Sequence, residues 1–180
     1  MSEAGAAMLD FSQNHLDLFG LPARFDVDVA ALEERYRTLQ SAIHPDRHAS
    51  APETQRRLAE QWAGQVNEAY RVLKSPLERG RYLLSLRGID ALAPTQTTLP
   101  AEFLMQQMEW REELAEARRG DPAALRRLEQ ALQREHRDLL SALSCQLDEL
   151  GHYDLAAETL RKLKFIARLE EEVAEAFEAL

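Results

Sequence analysis

From Pro100 onward only two places interrupt a pattern suited to helix: Gly120–Asp121–Pro122 and Gly151. The first is a stop followed by a start. Glycine takes the left-handed position past one helix end, Asp caps the next helix, and Pro fits its first turn. Helices are therefore predicted over residues 100–119, 121–150 and 153–179. Long helices joined by turns this tight pack as antiparallel neighbours, so residues 100–180 read as a three-helix bundle.

The earlier residues belong to the same class. A flexible tail is expected over residues 1–13, then a short helix from Asn14 to Phe19, ended by Gly20, Leu21 and Pro22. A helix starting near Asp28 carries Leu32, Tyr36, Leu39 and Ile43 on one face and stops before Pro45. After a loop over residues 44–52, a helix over 53–74 carries Leu58, Trp62, Val66, Ala69 and Leu73 on one stripe. Two apolar stripes joined by a polar loop make an antiparallel hairpin. Ser75–Pro76 opens another short helix, Leu77 to Leu86, closed by Gly88. Prolines, threonines and few charges mark residues 89–99 as a linker between a first domain, 14–88, and a second, 100–180. No run of alternating β-branched residues argues for a strand, so the fold class is all-α.

Composition narrows the function. A formal net charge of −9 argues against a nucleic-acid binder, whose affinity comes from neutralising phosphates. The single Cys145 rules out an internal disulfide and a cysteine zinc site, and its place on a helix suggests a small core residue. No basic region followed by an apolar stretch opens the chain, and no segment has the length to cross a bilayer. A cytoplasmic protein with no membrane partner is expected.

The most informative tripeptide is His44–Pro45–Asp46, at the mouth of the hairpin loop. Alone, it reads equally as a helix end, a proline stop and a turn carboxylate. His44 and His48 have the spacing of helical zinc ligands, but Pro45 prevents the helix that would align them. His44 beside Asp46 could suggest acid–base chemistry, yet no nucleophile or third group accompanies them. Neither an enzyme nor a metal site is expected.

The helix beginning at Pro100 has one face too many. At about 100° per residue, Phe103, Trp110, Leu114 and Ala117 fall within roughly 60° and form a core stripe. Leu104, Met105 and Met108 lie on a different side, which Glu109, Glu112 and Glu116 share. An apolar patch edged by carboxylates can be a partner site, and it can equally be a second buried face of the bundle. On the last helix, Leu160, Leu163, Ile166 and Ala167 share a sector while Phe165 points toward Glu158, Arg161 and Glu172. Phe165, like Leu104, is expected to be largely exposed, with burial against the first domain as the alternative for Phe165.

The first half resembles a J-domain. Asn14–His15–Leu16–Asp17–Leu18–Phe19–Gly20–Leu21 is similar to the family's opening helix, and Val66–Asn67–Glu68–Ala69–Tyr70–Arg71–Val72–Leu73 to the end of its third helix. Ser75–Pro76–Leu77–Glu78–Arg79 continues the pattern around the His-Pro-Asp loop. The resemblance implies docking of the second helix and this loop on a DnaK-type ATPase chaperone, through His44, Pro45, Asp46 and the basic Arg35, Arg37 and Arg47. The second helix departs from the family in carrying Glu33 and Glu34, and in having Ile43 where tyrosine is common. Both departures suggest weaker docking, or docking tuned to a specialised chaperone.

The whole chain resembles the HscB-type co-chaperones of iron–sulfur cluster biogenesis. The matching residues are Phe19–Gly20–Leu21–Pro22–Ala23–Arg24, Arg81–Tyr82–Leu83–Leu84–Ser85–Leu86, Phe103–Leu104–Met105, Arg111–Glu112–Glu113–Leu114 and Arg161–Lys162–Leu163–Lys164–Phe165. In that family the bundle binds an IscU-type cluster scaffold through an apolar and acidic patch. The resemblance places it on Leu104, Met105, Met108, Glu109, Glu112, Glu116 and Phe165. Met108 and Trp110 stand where leucine is frequent, and no cysteine precedes Cys145 to build the zinc element of some eukaryotic members. The implied function is delivery of the scaffold to an HscA/DnaK-type chaperone with stimulation of its ATPase. The alternative is a J-domain protein with a different client. No resident cofactor is expected, since one cysteine cannot ligate a cluster.

Overall fold

The computed structural model of the protein describes residues 13–43, 52–93 and 98–179. Among these every regular element is helical, in the order α1 (His15–Leu18), α2 (Val29–Ile43), α3 (Glu53–Lys74), α4 (Pro76–Ser85), α5 (Ala101–Ala117), α6 (Pro122–Ser144) and α7 (Tyr153–Glu178). The chain divides into two compact units, Met1–Arg79 and Gly80–Leu180, with the division inside α4. Most of the expected tail, residues 1–12, and residues 94–97 of the expected linker lie outside the described residues.

In the first unit the helix starts follow their caps. The Asn14 carboxamide oxygen accepts from the backbone N–H groups of Leu16 (2.9 Å) and Asp17 (3.0 Å), and Asp28 accepts from Ala30 (2.9 Å) and Ala31 (3.1 Å). Each cap satisfies donors that the first helical turn leaves open. Leu16, Leu32, Val66, Ala69 and Leu73 are fully buried where α1, α2 and α3 meet. Burial of each large side chain contributes about 1.5–3 kcal/mol. Leu58 departs from expectation: it is 46% exposed, and Ala59 is buried in its place. Relative to Trp62, Leu58 lies about 40° to one side of α3 and Ala59 about 60° to the other, and the core faces the second side. Arg79 is buried; its guanidinium donates to the Leu73 carbonyl (2.6 Å) and lies 4.9 Å from the Phe25 ring.

The second unit is the expected bundle. Gly120 and Gly151 adopt φ of 110° and 65°, left-handed values that suit glycine, and Asp121 caps α6 by accepting from Ala123 and Ala124 at 3.0 Å. Leu125, Leu128, Leu132 and Leu143 of α6 meet Leu160, Leu163, Ile166 and Leu169 of α7 in a core with almost no exposed surface. Part of the expected linker is tied to this unit: Ala91 is fully buried and Arg161 of α7 donates to its carbonyl (3.3 Å). Cys145 is only partly buried, contrary to its expected core position. It opens a π-helical turn, Cys145–Leu150, that continues α6, and its Sγ lies 3.7 Å from Glu149. The wider turn shifts the helical register away from the core. Burial, followed by the nearby Glu149 carboxylate, pushes the Cys145 thiol above its usual value, which disfavours a reactive thiolate.

Candidate functional site

On α5 burial follows the two-faced pattern. Phe103, Trp110, Leu114 and Ala117 are buried against the bundle. Leu104, Met105 and Met108 are 44%, 65% and 64% exposed, so the second face is free of the core. Glu109, Glu112 and Glu116 are exposed on the same side. Gln106 donates to Glu109 (2.9 Å). Two methionines among these apolar groups give a surface that can repack around a partner.

Phe165 joins this face differently from expectation. It is half-buried, because its ring meets Phe103 of α5 edge-to-face at 6.0 Å and 82°. Phe103 in turn meets Trp110 at 6.2 Å and 78°, so an aromatic row links surface to core. The Arg111 guanidinium sits 5.4 Å from the Phe165 ring and 3.8 Å from Glu172, while the Lys162 ammonium sits 5.7 Å from the Phe103 ring. Arg111 follows Leu104 by two helical turns, which places it on the α7 side of the patch. The expected site lacked Arg111, although the residue opens the matching run Arg111–Glu112–Glu113–Leu114 and stands seven residues after Leu104. The result is an apolar strip ending in an aromatic edge, with carboxylates along one side and an arginine at the seam. Such a strip suits a partner offering apolar side chains beside basic ones.

The first unit carries the other expected site. His44, Pro45, Asp46 and Arg47 lie outside the described residues. Arg37 is 76% exposed and 3.8 Å from Glu33. Arg35 is already engaged: Nη1 donates to the carbonyls of Phe19 and Gly20, each at 2.6 Å. On the α3 side, Tyr36 stacks on Tyr70 with centroids 4.0 Å apart and donates to Asn67 (3.0 Å). Glu33 accepts from Lys74 (3.1 Å), whose hydrogen bond and charge hold the Glu33 carboxyl below its ordinary value. Sequence periodicity could not reveal either set of contacts, because the acceptors are backbone carbonyls or polar atoms on another helix.

Among the described residues no group of His, Cys, Asp and Glu side chains is placed to hold a metal, and no helix is long and apolar enough to cross a membrane.

Residues 99–174 match the family model described as the HscB C-terminal oligomerisation domain. The chain is 46% identical over 173 residues to the co-chaperone protein HscB homolog of Azoarcus sp. (strain BH72), covering 96% of this chain and 98% of that protein. It is 49% identical over 170 residues to the homolog from Ralstonia nicotianae, covering 94% and 97%. Among solved structures it is similar to chaperone HscB from Vibrio cholerae, with a TM-score of 0.83 and 42% identity over 93% of this chain and 99% of that one. Human co-chaperone protein HscB gives a TM-score of 0.89 at 31% identity over 95% and 85% of the two chains.

Proposed function

The chain belongs to the HscB family of co-chaperones, and from that premise we propose that it carries an IscU-type iron–sulfur cluster scaffold to an HscA/DnaK-type chaperone and stimulates the chaperone's ATP hydrolysis. The observation that carries the reading is the second face of α5. Leu104, Met105 and Met108 remain exposed although the same helix has a complete core stripe. A chain with no partner for that face would gain nothing by keeping it apolar.

The two ends divide the work. The scaffold seats on Leu104, Met105, Met108 and Phe165, and Glu109, Glu112 and Glu116 meet its basic groups. Completing the burial of the three α5 side chains contributes about 1 kcal/mol each before ordering costs. The J-domain presents His44, Pro45, Asp46 and Arg47 to the chaperone, with Arg35 and Arg37 on the docking helix. The histidine and the carboxylate supply polar contacts to the chaperone and no chemistry of their own. Hydrolysis closes the chaperone on the scaffold and favours cluster transfer to acceptors. The cluster is cargo throughout, and the setting is the cytoplasm.

The experiment is a chaperone ATPase assay with the co-chaperone alone, the scaffold alone, and both. Greater-than-additive stimulation by the pair is expected. Stimulation by the co-chaperone that ignores the scaffold would favour a J-domain protein with a different client.

A further inference from the structure

We propose that Arg35 is a positioning residue for the chaperone-docking helix: it clamps α2 to the end of α1, and its charge is not what the chaperone reads. The proposal rests on the reading above that α2 belongs to the docking surface.

The geometry is specific. α1 has only four residues, and its final carbonyls have no helical N–H to accept from. Its end is closed by the Gly20 N–H donating to Asp17 O (2.9 Å) and the Leu21 N–H donating to Leu16 O (2.9 Å). This closure puts Gly20 at φ 57° and turns the Phe19 and Gly20 carbonyls toward α2. One nitrogen of Arg35 meets both at 2.6 Å. A Cβ on Gly20 would stand 3.6 Å from that nitrogen, at van der Waals contact, and the left-handed backbone would be strained for any other side chain.

Apolar packing does not do the same job at this point. A groove of about 550 Å³ runs between the end of α1 and α2, lined by Leu18, Phe19, Thr38 and Leu39, with Arg35 on its wall. Leu32 is the fully buried anchor of α2, one turn before Arg35. On its other side α2 is held to α3 by the Tyr36–Tyr70 stack and the Glu33–Lys74 pair. The helix is therefore fixed toward α3 by rings and charges and toward α1 by the Arg35 contacts. Loss of these contacts frees α2 to tilt over the groove, and the helix can then no longer present a fixed face to a rigid partner. Arg37, 76% exposed, is the α2 cation left to supply charge.

The test uses the full chain with Arg35→Lys, Arg35→Gln and Arg37→Gln, each confirmed folded by circular dichroism at the assay temperature. Chaperone ATPase stimulation is titrated at two ionic strengths, and amide hydrogen exchange is followed over residues 16–21. The clamp predicts that both Arg35 variants lose maximal stimulation several-fold at saturation, with the salt slope of the half-saturating concentration unchanged. Exchange at Gly20 and Leu21 should accelerate in both. Lysine keeps the charge, but its ammonium ends one bond short of the position of the Arg35 Nη1 that meets both carbonyls, so it should not rescue. Arg37→Gln should raise the half-saturating concentration, flatten its salt slope and keep the maximum. Rescue by Arg35→Lys, or an Arg35→Gln that behaves like Arg37→Gln, would overturn the clamp in favour of a direct charge contact. Wild-type stimulation by both Arg35 variants would also overturn it. If the wild-type chain failed to stimulate, the docking reading itself would fall, and the exchange rates would show separately whether Arg35 holds α1.

Discussion

Phe103, Leu104 and Phe165 offer three alanine substitutions within one small region whose costs should differ sharply. Phe103 is 8% exposed, and a buried Phe→Ala change costs about 3–5 kcal/mol. Leu104 follows it on the same helix but is 44% exposed and off the core stripe, so Leu104→Ala should cost about 0.5 kcal/mol or less. Phe165 falls between. Its edge-to-face contact with Phe103 is worth about 0.5–1.5 kcal/mol and the Arg111 contact about 0.5–1 kcal/mol. Partial burial adds about 1 kcal/mol, for a total of about 2–3.5 kcal/mol. On a unit of this size that lowers the melting transition by roughly 10–15 °C. Binding should rank differently: Leu104→Ala and Phe165→Ala should each weaken scaffold affinity by more than about 1 kcal/mol, or roughly fivefold. The assay is urea unfolding followed by Trp110 fluorescence in a Trp62→Phe background, since the two tryptophans lie in different units and the units need not unfold together. Isothermal titration with scaffold supplies the affinities. Equal destabilisation by Leu104→Ala and Phe103→Ala would refute the two-faced account of α5, and an unchanged unfolding free energy for Phe165→Ala would refute the aromatic seam.

Replacing Glu109, Glu112 and Glu116 together by Gln should slow association with the scaffold and flatten its salt dependence, because exposed charges at a rim act mainly on the encounter rate; stopped-flow mixing at two ionic strengths reads this, and an unchanged rate moves the site off α5. His15 gives a pH prediction: burial, only partly opposed by Glu68, pushes its imidazole below the ordinary value of 6.5. The folded state then takes up this proton less readily than the unfolded state, so the stability His15 contributes is present above 6.5 and is lost as pH falls through the folded value. The first unit should melt lower at about pH 5.5 than at about pH 7.5, and His15→Gln should shrink that difference; an equal difference in the variant contradicts the assignment. Asp121→Ala removes the acceptor for Ala123 and Ala124 and should cost about 1 kcal/mol in bundle unfolding, with scaffold affinity retained.

Helix existence was legible wherever punctuation and period agreed. The α3 bounds, Glu53–Lys74, coincide with expectation because Pro52 precedes the helix and Ser75–Pro76 follows it. The separation of Phe103, Trp110, Leu114 and Ala117 from Leu104, Met105 and Met108 was legible because angle around a helix depends on residue number alone. Contacts between helices were not. Phe165 was expected to be exposed, yet it packs on Phe103, sixty-two positions earlier in the chain. The residues read as a linker include Ala91, which is buried and whose carbonyl accepts from Arg161 seventy residues later. Arg35 reads as a surface cation until the path of the Gly20 backbone is known, since side-chain chemistry gives no sign of where a carbonyl points. Cys145 was placed in the core on residue type alone, although it lies about 200° around the helix from the buried Leu143. In the other cases the missing quantity is a tertiary position, which periodicity within one helix does not encode.

We propose that one molecule grips the scaffold with α5 and α7 while its J-domain engages the chaperone. Two variants, each disabled at one end, separate the two activities: His44→Gln, and Leu104→Ala combined with Phe165→Ala. His44→Gln should retain helical content and scaffold affinity yet give no ATPase stimulation. The double variant should stimulate the chaperone at the level seen without scaffold and add nothing when scaffold is present. The deciding measurement is the ATPase rate with chaperone, scaffold and an equimolar mixture of both variants, against the same total of wild-type chain. Delivery by a single adaptor predicts that the mixture stays at the double variant's basal stimulation, because no molecule in it carries both working ends. Recovery of the full scaffold-dependent rate by the mixture would contradict the claim, since the two ends would then be acting without being joined.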